Sequence, residues 1–174
     1  MRILGIDPGL RSVGLAVVDG AGRLELATML HNPEEHDDGP VAWEAMAEAV
    51  LERIRADFEQ GAAALDVAVV ERQQVRGKMV NRNPQVMITL ANVAGVLIHA
   101  IPADRKLAVW PSQWTHNEKE AWVSVRRSLT PDELKRCELY TTTPSSEHNL
   151  WDAVGIARWG AHQARLQTGT VRYG

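Results

Sequence analysis

Residues 3–19 read ILGIDPGLRSVGLAVVD, and no other stretch restricts the fold as much. Ile3, Leu4 and Ile6 form an apolar run without polar alternation, the pattern of a strand covered on both faces. Pro8-Gly9 turns the chain and a second apolar run over 12–18 leaves the turn, so 2–7 and 12–18 read as paired strands. Asp19-Gly20-Ala21-Gly22 is a further turn signal and leads to a third strand over 23–30. Asp19 suits its turn. Asp7 ends a buried strand, where a carboxylate is costly unless something compensates its charge.

The rest of the chain alternates helical and strand patterns. His31 to Pro40 is a polar, acidic loop, after which Trp43, Met46, Val50, Ile54 and Phe58 recur at helical spacing over roughly 18 residues. Leu65 to Val70 is a short apolar run closed by Glu71. Asn83-Pro84 opens a helix that runs to about Ala100 and is apolar nearly all round, so it is either enclosed in the core or half in a dimer interface. Lys106 to Trp110 reads as the fifth strand, stopped by Pro111. A helix near 117–128 follows, then a shorter one opened by Thr130-Pro131-Asp132-Glu133, and a last helix over 148–166. The expectation is one α/β domain over 1–168, a five-stranded mixed sheet flanked by helices, with 169–174 as a flexible tail.

A chain of 174 residues is long enough for a core without covalent staples. Its single cysteine, Cys137, excludes an internal disulfide and suits a reducing compartment. No apolar run nears the ~18–20 residues that cross a membrane. A soluble, cytoplasmic protein without membrane contact is expected. The formal net charge of −3 conceals an asymmetry: residues 1–71 carry −9 and residues 72–174 carry +6. Arg72, Arg76, Lys78 and Arg82 crowd one acid-free stretch directly after Glu71. Such a run is usually a solvated face; beside a functional carboxylate it is also a local patch for a polyanion.

Three acids stand apart from the solvated ones. Asp7 and Glu71 each end an apolar strand, and Asp152 lies on the apolar flank of the last helix, beside Ile156 and Trp159. Singly, each has a bland explanation as a turn cap, an arginine partner or a helix N-terminal charge. Together they suggest convergence, because first and fourth strands are often neighbours in a mixed sheet. Carboxylates in contact raise one another's pKa, and a divalent cation removes the repulsion; an oxygen-only set favours Mg²⁺ or Mn²⁺.

The ordered set ILGIDPGLRSVGLAVVD, VAVVERQQVRGKMVNRN, AVWPSQWT and HNLWDAVGIARW resembles the RuvC family of Holliday junction resolvases, within the RNase H-like nuclease superfamily. The likeness spans roughly residues 2–165. It implies an RNase H-like fold and a homodimeric endonuclease that resolves four-way DNA junctions with two divalent cations and no organic cofactor, in a bacterial or phage-infected cell. By the same resemblance Asp7 bridges the two ions while Glu71 and Asp152 each hold one. Arg72, Arg76, Lys78, Arg82 and Lys119 would grip DNA.

The chain departs from the family's pattern in places. Asn149 stands where many members carry a further acid, so Asn149, His148 or Glu147 completes the site. Gln74 stands where an aromatic side chain is common, and Trp151 and Gly155 replace smaller or different residues in the closing helix. Among six tryptophans, Trp114 lies in a polar stretch and is the one to test for stacking on unpaired bases. Two other readings stay open: an RNase H-like nuclease acting on structured RNA, of the pre-rRNA processing type, and a non-catalytic nucleic-acid-binding module. An actin-like ATPase or sugar kinase needs a second domain for which the chain has no room.

Overall fold

The computed structural model describes residues 1–9, 11–31, 40–56, 64–72, 84–115, 120–138 and 147–167. Strands β1 (Arg2–Asp7), β2 (Ser12–Asp19) and β3 (Leu24–His31) are followed by α1 (Pro40–Ile54), β4 (Leu65–Glu71), α2 (Pro84–Ala100) and β5 (Ala103–Val109). Then come α3 (Pro111–Trp114), α4 (Ala121–Arg127), α5 (Pro131–Leu134) and α6 (His148–Gln167). The sheet order is β3-β2-β1-β4-β5, with β1 antiparallel to β2 and parallel to β4. The mixed five-stranded sheet expected from the sequence is therefore present, with helices on both faces.

Strand periodicity divides the core into two layers. Leu4, Ile6, Ala68 and Val70 pack with Met46, Val50, Val93 and Leu97 of α1 and α2. Ile3, Val67 and Val69 face the other way, against Ala153, Ala157 and Ala161 of α6. Asp7 and Glu71 continue the second set. The parallel register pairs Ile3 with Val67 and Ile6 with Val70, so one further step sets Asp7 beside Glu71, both toward α6. The helix can lie this close because Gly5 has no side chain: a Cβ there would stand 2.4 Å from both the Ala153 oxygen and the Ala157 nitrogen.

The expected capping signal before α5 is formed: Glu133 N–H donates to Thr130 Oγ1 at 3.2 Å, and Thr130 N–H donates to Glu133 Oε2 at 2.9 Å. Burial works against the Glu133 charge, yet hydrogen bonds from Leu24 and Thr130 and the Arg158 guanidinium hold the carboxyl down at about 2. This knot ties β3, α5 and α6 together.

Some boundaries differ from the sequence reading. β5 starts at Ala103, not Lys106, because it is an edge strand whose exposed face accepts Asp104 and Lys106; an apolar run is the wrong signal for it. It ends at Val109, since Trp110 already caps α3. α1 spans 15 residues and ends at Ile54, and α4 spans only Ala121–Arg127. Phe58, residues 117–119 and the expected tail 169–174 lie outside the described residues. Among the described residues α2 is covered on one side: Val93 and Leu97 are buried, whereas Ile88 and Val96 are 55% and 50% exposed.

Candidate active site

Asp7 and Glu71 meet where two parallel strands end, and α6 brings a third carboxylate to them. Gly14, the cross-strand partner of Asp7, lets the first turn of α6 rest on β2; a Cβ at Gly14 would lie 1.9 Å from the Asn149 carbonyl oxygen. Asn149 anchors that turn from its own side, its Nδ2 donating to the Ser12 carbonyl at 2.8 Å and to Ser12 Oγ at 3.2 Å. One helical turn later Asp152 faces the strand ends. Asp7, Glu71, Asp152, Asn149 and His148, with Arg11 and Ser12, line an open pocket of about 530 Å³.

The three acids strain against one another. Burial pushes the Asp7 carboxyl well above the usual carboxylate range, and the charges of Glu71 and Asp152 and a hydrogen bond shared with Glu71 push it the same way. Burial raises Glu71 too, while hydrogen bonds from Trp114 and Asp7 pull it back. Asp152 is raised to about 7, by burial first and then by the Glu71 charge. All three carboxyls are thus shifted toward the protonated form, Asp7 furthest from the usual range. Among the described residues no three His, Cys, Asp or Glu side chains form a ready-made cage for an ion. The donor set nevertheless fits a hard divalent cation: oxygen donors, poor solvation and a repulsion that one proton only partly relieves.

Of the three candidates for completing the set, Asn149 and His148 line the pocket. Glu147 does not. It is 3% exposed and its charge bears on Cys137, so the phase of the helix start turns it inward, away from Asp7. With Nδ2 committed to Ser12, Asn149 has its Oδ1 left to offer. Arg72 is exposed and stacks its guanidinium over the Trp110 ring at 5.4 Å. Gln74, Arg76, Lys78, Arg82 and Lys119 lie outside the described residues.

Two residues of the site escaped the sequence reading. Arg11, an exposed cation on the pocket, follows a turn and carries no sequence signal beyond its nearness to Asp7. Trp114, which the sequence marks only as the tryptophan to test for base stacking, is 8% exposed, its Nε1 donating to Glu71 Oε1 at 2.7 Å. The α3 turn after Pro111 swings it inward; the exposed aromatic ring nearby is Trp110, at 40%. Trp151 is fully buried.

No family model matches the chain. Curated relatives do. A protein named crossover junction endodeoxyribonuclease RuvC from Parasynechococcus marenigrum is 30% identical over 167 residues, covering 94% of this chain and 99% of that protein. One of the same name from Polynucleobacter asymbioticus is 27% identical over 169 residues, covering 95% and 91%. Among solved structures, Thermus thermophilus RuvC in complex with a Holliday junction substrate superposes with a TM-score of 0.64 at 22% identity, over 97% of this chain and 98% of that one. The yeast mitochondrial Holliday junction resolvase gives 0.52 at 17% identity, over 95% and 80%. At these identities the superpositions establish the fold.

Proposed function

This chain belongs to the crossover junction endodeoxyribonuclease RuvC family, and from that premise we propose that its Asp7–Glu71–Asp152 pocket hydrolyses DNA phosphodiester bonds at four-way junctions. The observation that carries the reading is the convergence of three carboxylates, from β1, β4 and α6, on one open pocket. The alternatives of an RNA-processing nuclease and a non-catalytic binding module are not favoured by the relatives, all of which are named as junction endodeoxyribonucleases.

In this reading Asp7, Glu71 and Asp152 would hold two Mg²⁺ or Mn²⁺ ions, with Asn149 Oδ1 as a neutral further donor and His148 beside it. Bound cations supply Lewis-acid activation of water and neutralise charge at the departing 3′-oxygen. The residues of the chain do the rest. A bound cation would favour the ionised form of these raised carboxyls, so its uptake would release protons. Ser12 keeps Asn149 from rotating. Arg11 and Arg72 would meet phosphates near the pocket, and Arg76, Lys78, Arg82, Lys119 and Gln74 are the further DNA contacts that the family resemblance implies.

A cleavage panel tests this: four-way junction, fork, linear duplex and RNA–DNA hybrid, each with Mg²⁺, Mn²⁺ or EDTA. The junction is expected to be cut with either metal and left intact in EDTA. Binding in EDTA is expected to persist and to weaken steeply from 50 to 200 mM salt, as phosphate contacts dictate. Preferential cutting of the hybrid would move the substrate to RNA, and tight binding without incision in any metal would leave only a binding module.

A homodimer belongs to the same proposal. Ile88 and Val96 place apolar surface in water on one side of α2, and a second copy of the chain would cover it. Val96→Glu is expected to give a monomer by sedimentation at micromolar concentration and to uncouple the two incisions. Wild-type protein sedimenting as a monomer would remove the dimer.

A further inference from the structure

Trp114 is held from two sides. Its N–H reaches Glu71, and the far edge of its ring lies against Gly155 of α6, where a Cβ would stand 2.6 Å from Cζ3 and 2.8 Å from Cε3. The same Cβ would lie 3.2 Å from Val125 Cγ2 of α4, so helix α4 closes on the same spot. A glycine inside a helix is less stable than alanine by roughly 0.5–1 kcal/mol. Here it provides the seat for an indole, and it sits three residues after Asp152 on the same helix.

We propose that Trp114 is a positioning residue for Glu71, seated by Gly155; the inference rests on the metal-site reading above. An indole N–H donates and never accepts, so it fixes one oxygen of a carboxylate that also interacts with Asp7. The partner shell around a ligating carboxylate typically governs metal affinity by 10–100-fold. A tryptophan that merely filled the core would affect stability and leave that affinity alone.

The test is Mn²⁺ titration of the full chain by calorimetry, with melting in EDTA alongside. Trp114→Phe keeps the ring and removes the donor; it is expected to weaken Mn²⁺ binding about tenfold or more. Gly155→Ala, which keeps the indole but displaces it, is expected to weaken binding in the same direction despite alanine's better helix propensity. In a Glu71→Ala background, which removes the acceptor, Trp114→Phe should cause no further loss. Binding within twofold of wild type for both single variants would overturn the proposal, as would an equal loss from Trp114→Phe with and without Glu71. If Trp114→Phe fails to fold, Gly155→Ala alone decides. Wild-type protein that takes up no Mn²⁺ at all would overturn the metal site together with this inference, whereas uptake unaffected by the variants overturns the inference only.

Discussion

Asp7→Asn is expected to reduce junction cleavage by on the order of 10³-fold or more, the equivalent of losing about 4 kcal/mol of transition-state stabilisation. Junction binding in EDTA is expected to stay within a few-fold of wild type, because the substitution leaves every basic side chain in place. Asparagine is nearly isosteric with the protonated carboxyl that the fold already favours, and its amide can donate to Glu71 as the Asp7 proton does. The variant should therefore fold, and in EDTA it should be more stable than wild type above neutral pH. The sign follows from linkage. A carboxyl whose folded pKa is raised contributes its full stability below the unfolded value and loses it as pH rises through the folded one. For Asp152 that window runs from 3.8 to about 7, and Asp7 shifts in the same direction. Asparagine at position 7 does not ionise, so the loss tied to Asp7 disappears and its charge no longer opposes its neighbours. Thermal melts at pH 5 and pH 8 in EDTA check it: the advantage of the variant should grow with pH, and a divalent cation should restore the wild type preferentially. Cleavage that survived the substitution would move the chemistry elsewhere.

The parts of the fold that were legible in the sequence are those buried on both faces. β1, β2 and β4 have apolar runs because helices lie above and below them, and Asp7 and Glu71 stood out because they end such runs. β5 was half-legible, since an edge strand alternates charged and apolar residues and gives a weaker signal. Convergence of the acids was legible only as a topological expectation; the parallel register of β1 and β4 supplies it. The supporting residues were not legible at all. Trp114 sits among Ser112, Gln113 and Thr115, a surface pattern, and only the inward α3 turn and the missing Cβ at Gly155 give it a buried place. Choosing among Glu147, His148 and Asn149 depends on where α6 begins, and a one-residue change in the helix start rotates the candidates by about 100°.

Gly14→Ala is expected to destabilise the chain by roughly 2–4 kcal/mol and to lower cleavage even where the protein remains folded. The new Cβ would stand 1.9 Å from the Asn149 oxygen, 2.4 Å from its carbonyl carbon and 3.0 Å from the Leu150 nitrogen. All three are backbone atoms, so no rotamer change relieves the collision and the start of α6 must move off β2. That movement breaks the hydrogen bonds from Asn149 Nδ2 to Ser12 and carries Asp152 away from Asp7 and Glu71. Melting in EDTA measures the first effect, with a fall of about 4–16 °C for a chain of this size. Mn²⁺ affinity measured well below the melting point measures the second. A small cavity-forming change in the opposite layer, Val50→Ala, is the comparison: it should also destabilise, since Val50 is fully buried, while leaving α6 seated and the metal affinity near wild type. Equal metal affinity in the two variants would mean that the contact between β2 and the helix start does not set the spacing of the carboxylates.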